Sequence, residues 1–200
     1  RQTAIVTLQN GLGNEEQLAR LFPVEQILGG LCFVCLNRLE PGLIHHIGYG
    51  QVVLGEFQRP PTDRTRLLAE LFCRAGVRCL VSENLARTHW EKLTWNIPFN
   101  GLGVAAAAGL EALDVAAVRG ARRSEAGGGS SFPAAPRAAG VLTTDQLLAD
   151  ARWTQLIREL IGEIVSVARS LGFDIPESMA DLQIERTRSM GDYKASSLLD

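Results

Sequence analysis

Lys92, Asn96 and Asn100 stand four residues apart in Trp90-Glu91-Lys92-Leu93-Thr94-Trp95-Asn96-Ile97-Pro98-Phe99-Asn100, a stretch otherwise rich in apolar residues. On an α-helix, i and i+4 side chains stack on one face. With a rise of about 1.5 Å per residue, the three would lie roughly 6 Å and 12 Å apart along the axis, a spacing suited to both ends of a small polar molecule. A lysine ammonium and two amides among tryptophans could hold a small polar substrate, since polar groups in an apolar setting need partners. An exposed polar stripe on an amphipathic helix would look the same, and Pro98 would remove one helical hydrogen bond and bias Ile97 away from helical angles.

Asn10 is a second candidate. It follows the apolar run Thr3 to Leu8, which reads as a strand buried on both faces of a parallel sheet, and ligands collect at the carboxyl ends of such strands. Asn10-Gly11 is equally a turn-forming dipeptide. Asn14 is expected to cap a following helix with Glu15 and Glu16 in its first turn and Leu18, Leu21 and Phe22 on its apolar side.

These groups need elements to hold them. From Ile27 to Glu56, strand runs broken at Pro41-Gly42 and Gly48-Tyr49-Gly50 predict an antiparallel meander. Asp63 is expected to cap a helix reaching about Ala75, with Gly76 as its stop and a strand from Val77 to Val81. Beyond residue 82 the strand signal fades. Thr88-His89-Trp90-Glu91 has capping-box form, predicting a helix from His89 with Lys92 in its first or second turn. Trp153, Leu156, Ile157, Leu160, Ile161, Ile164, Val165 and Ala168 mark a further helix, stopped by Gly172 and Pro176. The expected fold is α/β followed by all-α. Residues 1–82 are expected to form the α/β part, and residues 83–200 the helical part. The Ala-, Gly-, Ser-, Arg- and Pro-rich stretch 119–140 reads as a mobile loop.

The 200 residues are 46% hydrophobic and 21% charged, with a formal charge of −2, which reads as a globular protein without the clustered basic surface of a nucleic-acid or acidic-membrane binder. No apolar run is long enough to span a membrane. The chain starts at Arg1 and enters a strand pattern at once, as the interior of a longer protein would. Cys32 and Cys35 form a Cys-x-x-Cys pair, but in the strand run Leu-Cys-Phe-Val-Cys-Leu they should face opposite ways, as core thiols of a reduced, cytoplasmic protein. His45 and His46 have no nearby third ligand, so no metal site is expected. The glycines at 127–129 lack the Lys-Ser/Thr of a phosphate loop.

Three ordered motifs carry a family resemblance. They are Gln9-Asn10-Gly11-Leu12-Gly13-Asn14-Glu15-Glu16, then Trp90-Glu91-Lys92-Leu93 with Asn96 and Asn100, then Tyr193-Lys194-Ala195-Ser196-Ser197-Leu198-Leu199-Asp200. Together the sequence resembles the ketopantoate reductases (2-dehydropantoate 2-reductases) over nearly its whole length outside 119–140. The resemblance implies NADPH-dependent reduction of 2-dehydropantoate to (R)-pantoate, on the way to pantothenate and coenzyme A. It matches Lys92 to the catalytic lysine, Asn96 and Asn100 to substrate-binding asparagines, Ser196 to the substrate-binding serine, and Asn10 to the asparagine between cofactor and substrate. It also implies that residues 1–82 are the C-terminal part of a Rossmann-type NADPH-binding domain and that the helical domain, residues 83–200, serves substrate binding and dimerisation, with a homodimer as the candidate assembly.

Burial and a place near a helix N-terminus would both lower the lysine pKa toward a useful range for proton transfer. The family's Gly-x-Gly-x-x-Gly turn, together with the residues that discriminate NADPH from NADH, would precede Arg1, and a family acidic residue would follow Asp200. These residues alone are therefore expected to be a fragment without useful turnover. Asn100-Gly101-Leu102-Gly103 departs from the family's Asn-Pro-Leu-Thr. Two alternatives stay open: a reductase of another small 2-oxo acid on the same fold, and a non-catalytic helical association module.

Overall fold

The computed structural model describes residues 3–108 and 140–195. Ser196 and nearly all of the expected loop at 119–140 lie outside the described residues. The chain divides into two compact units, Arg1–Thr94 with Glu163–Glu177 and Trp95–Gly162 with Ser178–Asp200.

In the first unit a mixed four-stranded sheet runs in the order β1 (Ile5–Thr7), β2 (Ile27–Glu40), β3 (Leu43–Glu56), β4 (Arg78–Val81). β1 pairs parallel with β2, β2 antiparallel with β3, and β3 parallel with β4. The expected meander is a single long hairpin. Pro41-Gly42 makes its turn, with Gly42 at φ 84°, whereas Gly48-Tyr49-Gly50 lies inside β3. There Val34 pairs with Tyr49 directly after Phe33 pairs with Gln51, so the glycine and the positive-φ tyrosine form a bulge instead of ending a strand.

The sheet is covered on both faces because β3 alternates. Val52 and Leu54 pack with Ala69 and Phe72 of α2 (Asp63–Arg74), while Val53 packs with Leu31 and with Leu85 of α3 (Leu85–Trp95). Fully burying such side chains contributes about 1.5–3 kcal/mol each. Gly76, at φ 81°, follows α2 as expected. The N-cap of α2 is Thr62, and Asp63 is the first helical residue; Thr65 Oγ1 accepts the Thr62 N–H at 3.1 Å.

α1 (Asn14–Ala19) is short, and Gly13, at φ 86°, takes the N-cap position expected of Asn14. Asn14 instead donates its side-chain amide to the Asn10 carbonyl at 3.3 Å. Leu21 and Phe22 fall beyond the helix and are exposed. α3 begins one turn earlier than the Thr88 capping box predicted, because Asn84 Oδ1 accepts the Arg87 N–H at 3.0 Å and acts as the cap. Thr88 lies within the first turn and bonds Ser82 Oγ and the Asn84 carbonyl.

α3 ends at Trp95, and Asn96–Asn100 forms a π-helical turn before α4 (Gly101–Ala105). Pro98 lacks the N–H that α-helical continuation requires, and the chain widens there. The interruption expected of Pro98 thus takes the form of a π turn, and the regular α-helix ends at Trp95. α5 (Thr144–Ala149), α6 (Ala151–Ser170) and α7 (Met179–Arg188) complete the described α-helices. Trp153, Ile157, Ile161, Ile164, Val165 and Ala168 of α6 are buried, as its periodicity predicted. Gly172, at φ 88°, ends this helix, with the Phe173 N–H returned to the Ala168 carbonyl.

In the second unit α5 packs on α7. Thr144 donates its N–H to the Tyr193 carbonyl, and Asp145 donates its N–H to that of Gly191.

Candidate functional site

β1 ends at Thr7, and the chain turns through Gln9 to Gly13 at its carboxyl end, leaving Asn10 exposed. Gly11 takes φ 95°, and open space surrounds the positions where Cβ atoms would stand on Gly11 and Gly13. α3 then crosses the sheet with Leu85, His89 and Lys92 at i, i+4 and i+7, one helical stripe.

Each member of that stripe meets a different surface of the first unit. Leu85 enters the core beside Leu31 and Val53. His89 Nε2 lies 3.2 Å from Glu15 Oε1, and both side chains are buried. Half-buried Lys92 donates from Nζ to Asn10 Oδ1 at 2.7 Å and to the Cys32 carbonyl at 2.8 Å, with the Phe33 ring centroid 5.3 Å away.

An ammonium has three N–H donors. Two are occupied by Asn10 and Cys32, so one remains for an incoming acceptor. Burial lowers the Lys92 pKa, against a smaller upward influence from the Cys32 thiol. The N-terminal dipole expected to help does not act here, since the earlier start of α3 puts Lys92 in its last turn. The arrangement can donate a hydrogen bond to a carbonyl oxygen, stabilise negative charge on it and release a proton.

Asn96 and Asn100, both half-buried, belong to the second unit. Their π turn is braced there by Phe99, 1% exposed, which stacks on Trp95 with ring centroids 5.3 Å apart. Trp95 Nε1 donates to Thr187 Oγ1 at 2.9 Å, and Trp95 lies 6.4 Å from the Tyr193 ring. The same packing fixes Tyr193 at the start of the motif that continues to Ser196.

Sequence reasoning missed the Glu15–His89 pair and a second buried carboxylate. Glu56, at the end of β3, accepts hydrogen bonds from Thr62, Thr65, Arg59 and Arg64 at 2.6–3.2 Å. Burial pushes its pKa up, but the bonds from Thr65, Arg59, Arg64 and Thr62 prevail and hold it at about 2. A lone acid closing the apolar run Val52-Val53-Leu54-Gly55-Glu56 was the available signal. Glu15 behaves similarly: burial opposes ionisation, yet the His89 hydrogen bond and the residue's own backbone N–H lower its pKa overall. A pocket of about 570 Å³ borders this pair, with Gly13, Glu16, Arg59, Trp90 and Phe173 on its walls.

Among the described residues no three His, Cys, Asp or Glu side chains form a metal-binding group, and no helix is long and apolar enough to cross a membrane.

Residues 1–59 match the family model described as "Ketopantoate reductase PanE/ApbA". A 2-dehydropantoate 2-reductase of Nostoc sp. is 34% identical over 98% of this chain and 52% of its own length. That of Halobacterium salinarum is 30% identical over 89% of this chain and 65% of its own length. The solved structure of 2-dehydropantoate 2-reductase from Geobacter metallireducens shares 38% identity and a TM-score of 0.77, covering 98% of this chain and 55% of that one. The chain thus spans less than two thirds of the length of these relatives.

Proposed function

Because this chain belongs to the ketopantoate reductase family, we propose that the protein reduces 2-dehydropantoate to (R)-pantoate with NADPH, using Lys92 as hydrogen-bond donor and proton source. The observation that carries this reading is the Lys92 ammonium, held by Asn10 Oδ1 and the Cys32 carbonyl with one N–H left to give. Its place beside the carboxyl end of a parallel strand is where open α/β sheets bind ligands. The residues fit the nicotinamide end of a dinucleotide: Asn10 is exposed on a turn whose glycines leave open space for close approach.

NADPH, when bound, supplies the hydride. Lys92 gives its remaining N–H to the ketone oxygen and stabilises the charge that grows there. It then transfers that proton to the alkoxide and is left as a neutral amine. Its lowered pKa brings this transfer nearer to balance. Asn10 keeps the ammonium from swinging into solvent and offers its amide to the cofactor side. Asn96, Asn100 and Ser196 bind the substrate's hydroxyl and carboxylate as hydrogen-bond donors. Residues 1–82 serve cofactor binding, and residues 83–200 serve substrate binding and dimerisation. The four free cysteines suit a reducing, cytoplasmic setting.

A second reading keeps the mechanism and changes the acid. Asn100-Gly101-Leu102-Gly103 lacks the proline and threonine of the family pattern, which favours a 2-oxo acid of different shape. NADPH oxidation by the full-length protein, followed by absorbance with 2-dehydropantoate beside a panel of small 2-oxo acids, separates the two. Preference for 2-dehydropantoate supports the first reading, and activity only on another acid supports the second. No oxidation with any acid overturns both.

A further inference from the structure

A buried contact that does not touch Lys92 joins the two segments that carry Lys92 and Asn10. Glu15 and His89 are 4% and 5% exposed and meet at 3.2 Å, joining the first turn of α1 to the middle of α3. Glu15 lies five residues after Asn10, and His89 three residues before Lys92. The pair therefore ties together the two segments whose side chains meet in the Lys92–Asn10 hydrogen bond.

The sheet is shaped to admit this contact. Gly29 of β2 and Gly55 of β3 are direct partners in the register, and both lie under α3. A Cβ on Gly29 would stand 2.0 Å from Glu15 Oε1 and 2.6 Å from Leu85 Cδ2, and one on Gly55 would stand 2.9 Å from Leu85 Cβ. Two bare backbones side by side let α3 lie close to the strands and leave a slot for the carboxylate. Neither Glu15 nor His89 reaches the Lys92 ammonium in the structure, so neither supplies chemistry to it directly.

We propose that Glu15 and His89 are positioning residues for the reductase site, a buried clamp seated on Gly29 that holds α3 in the register where Lys92 meets Asn10. The proposal rests on the functional reading above. A displaced catalytic group loses rate steeply, with about 10²-fold for roughly 1 Å. Lys92 drawn out toward water would also regain an ordinary ammonium's acidity.

The test uses the full-length protein with His89→Ala, His89→Gln and the doubly apolar Glu15→Met/His89→Leu. The double variant leaves no buried charge unpaired and is expected to fold. Folding is checked by circular dichroism, steady-state kinetics give kcat and KM, and the Lys92 titration is read by NMR of isotopically methylated lysines assigned with Lys92→Arg.

The expected result is a kcat lowered about 10- to 100-fold in His89→Ala and in the double variant, with little change in KM. The Lys92 titration should move upward in both, and His89→Gln, whose amide can meet the same carboxylate, should recover most of the loss. A folded double variant with unchanged kcat and unchanged Lys92 titration overturns the clamp, as does a lower kcat without any movement of that titration. If the unsubstituted protein reduces no 2-oxo acid, the functional reading fails instead, and the Lys92 titration alone decides whether the clamp exists.

Discussion

Lys92 and Asn10 are 82 residues apart in sequence and 2.7 Å apart in space, joined ammonium to amide oxygen. The lysine comes from a helix lying across the sheet and the asparagine from the turn after the first strand. The bond fixes the direction in which the remaining ammonium N–H points. It also makes each residue's contribution depend on the other, which shapes the predictions for both.

Lys92→Ala in the full-length protein should lower kcat by about 10²- to 10⁴-fold, the range for loss of a general acid. Binding of NADPH, measured by fluorescence titration, should change far less. Lys92→Arg should not restore the rate, because a guanidinium is a poor proton donor near neutral pH. An unchanged kcat in Lys92→Ala would remove this lysine from the chemistry.

In the proposed mechanism the protonated lysine is the active form, so the rate should fall as pH rises through the Lys92 pKa. Burial places that pKa below the ordinary value of 10.5, so the alkaline limb of kcat should lie below it. A kcat–pH profile flat to that value would contradict the role.

Asn10→Ala removes the acceptor for Lys92 and leaves the Cys32 carbonyl bond intact. One hydrogen bond to a charged group contributes about 1.5–3 kcal/mol. The expected loss in kcat/KM is therefore about 10- to 100-fold, shared between weaker cofactor binding and a less ordered ammonium. Asn10→Asp should raise the Lys92 pKa by direct charge pairing and move the alkaline limb upward.

Glu56 offers a test of stability apart from activity. Its folded pKa of about 2 lies below the ordinary 4.5, so its stabilisation is complete above the ordinary value and is lost as pH falls toward 2. At about 1.4 kcal/mol per pKa unit, the linkage amounts to roughly 3 kcal/mol. Glu56→Gln should lower stability in urea unfolding at neutral pH by about that amount and flatten the acid dependence across this window. An unchanged midpoint would show that the carboxylate contributes nothing.

Thr187→Val strips the half-buried Trp95 Nε1–H of its acceptor. The expected cost is about 1–3 kcal/mol, read from the denaturant midpoint. If the second unit holds the substrate asparagines as proposed, KM for the 2-oxo acid should rise while KM for NADPH stays near its original value.

The local elements were largely legible in the sequence because their signals are local. The strand before Asn10, the turn at Pro41-Gly42, the stop at Gly76 and the apolar face of α6 each follow from a few neighbouring residues. Boundaries were less legible where two caps competed: Asn84 starts α3 although Thr88 carries a capping-box pattern, and Thr62 displaces Asp63. That one-turn error moved Lys92 from the start of its helix to the end and reversed the expected dipole contribution.

Residue types and order by themselves determined that Lys92 and Asn10 were candidates, that an α/β part precedes an all-helical part, and that α6 buries one face. Tertiary structure alone decided that Lys92 meets Asn10 and the Cys32 carbonyl, that Glu15 finds His89, and that Gly29 and Gly55 lie together beneath α3. The physical reason is range. Caps, turns and periodicity act within a few residues, whereas a lowered pKa or a buried hydrogen-bonded pair depends on chain brought in from far along the sequence and on the water it excludes.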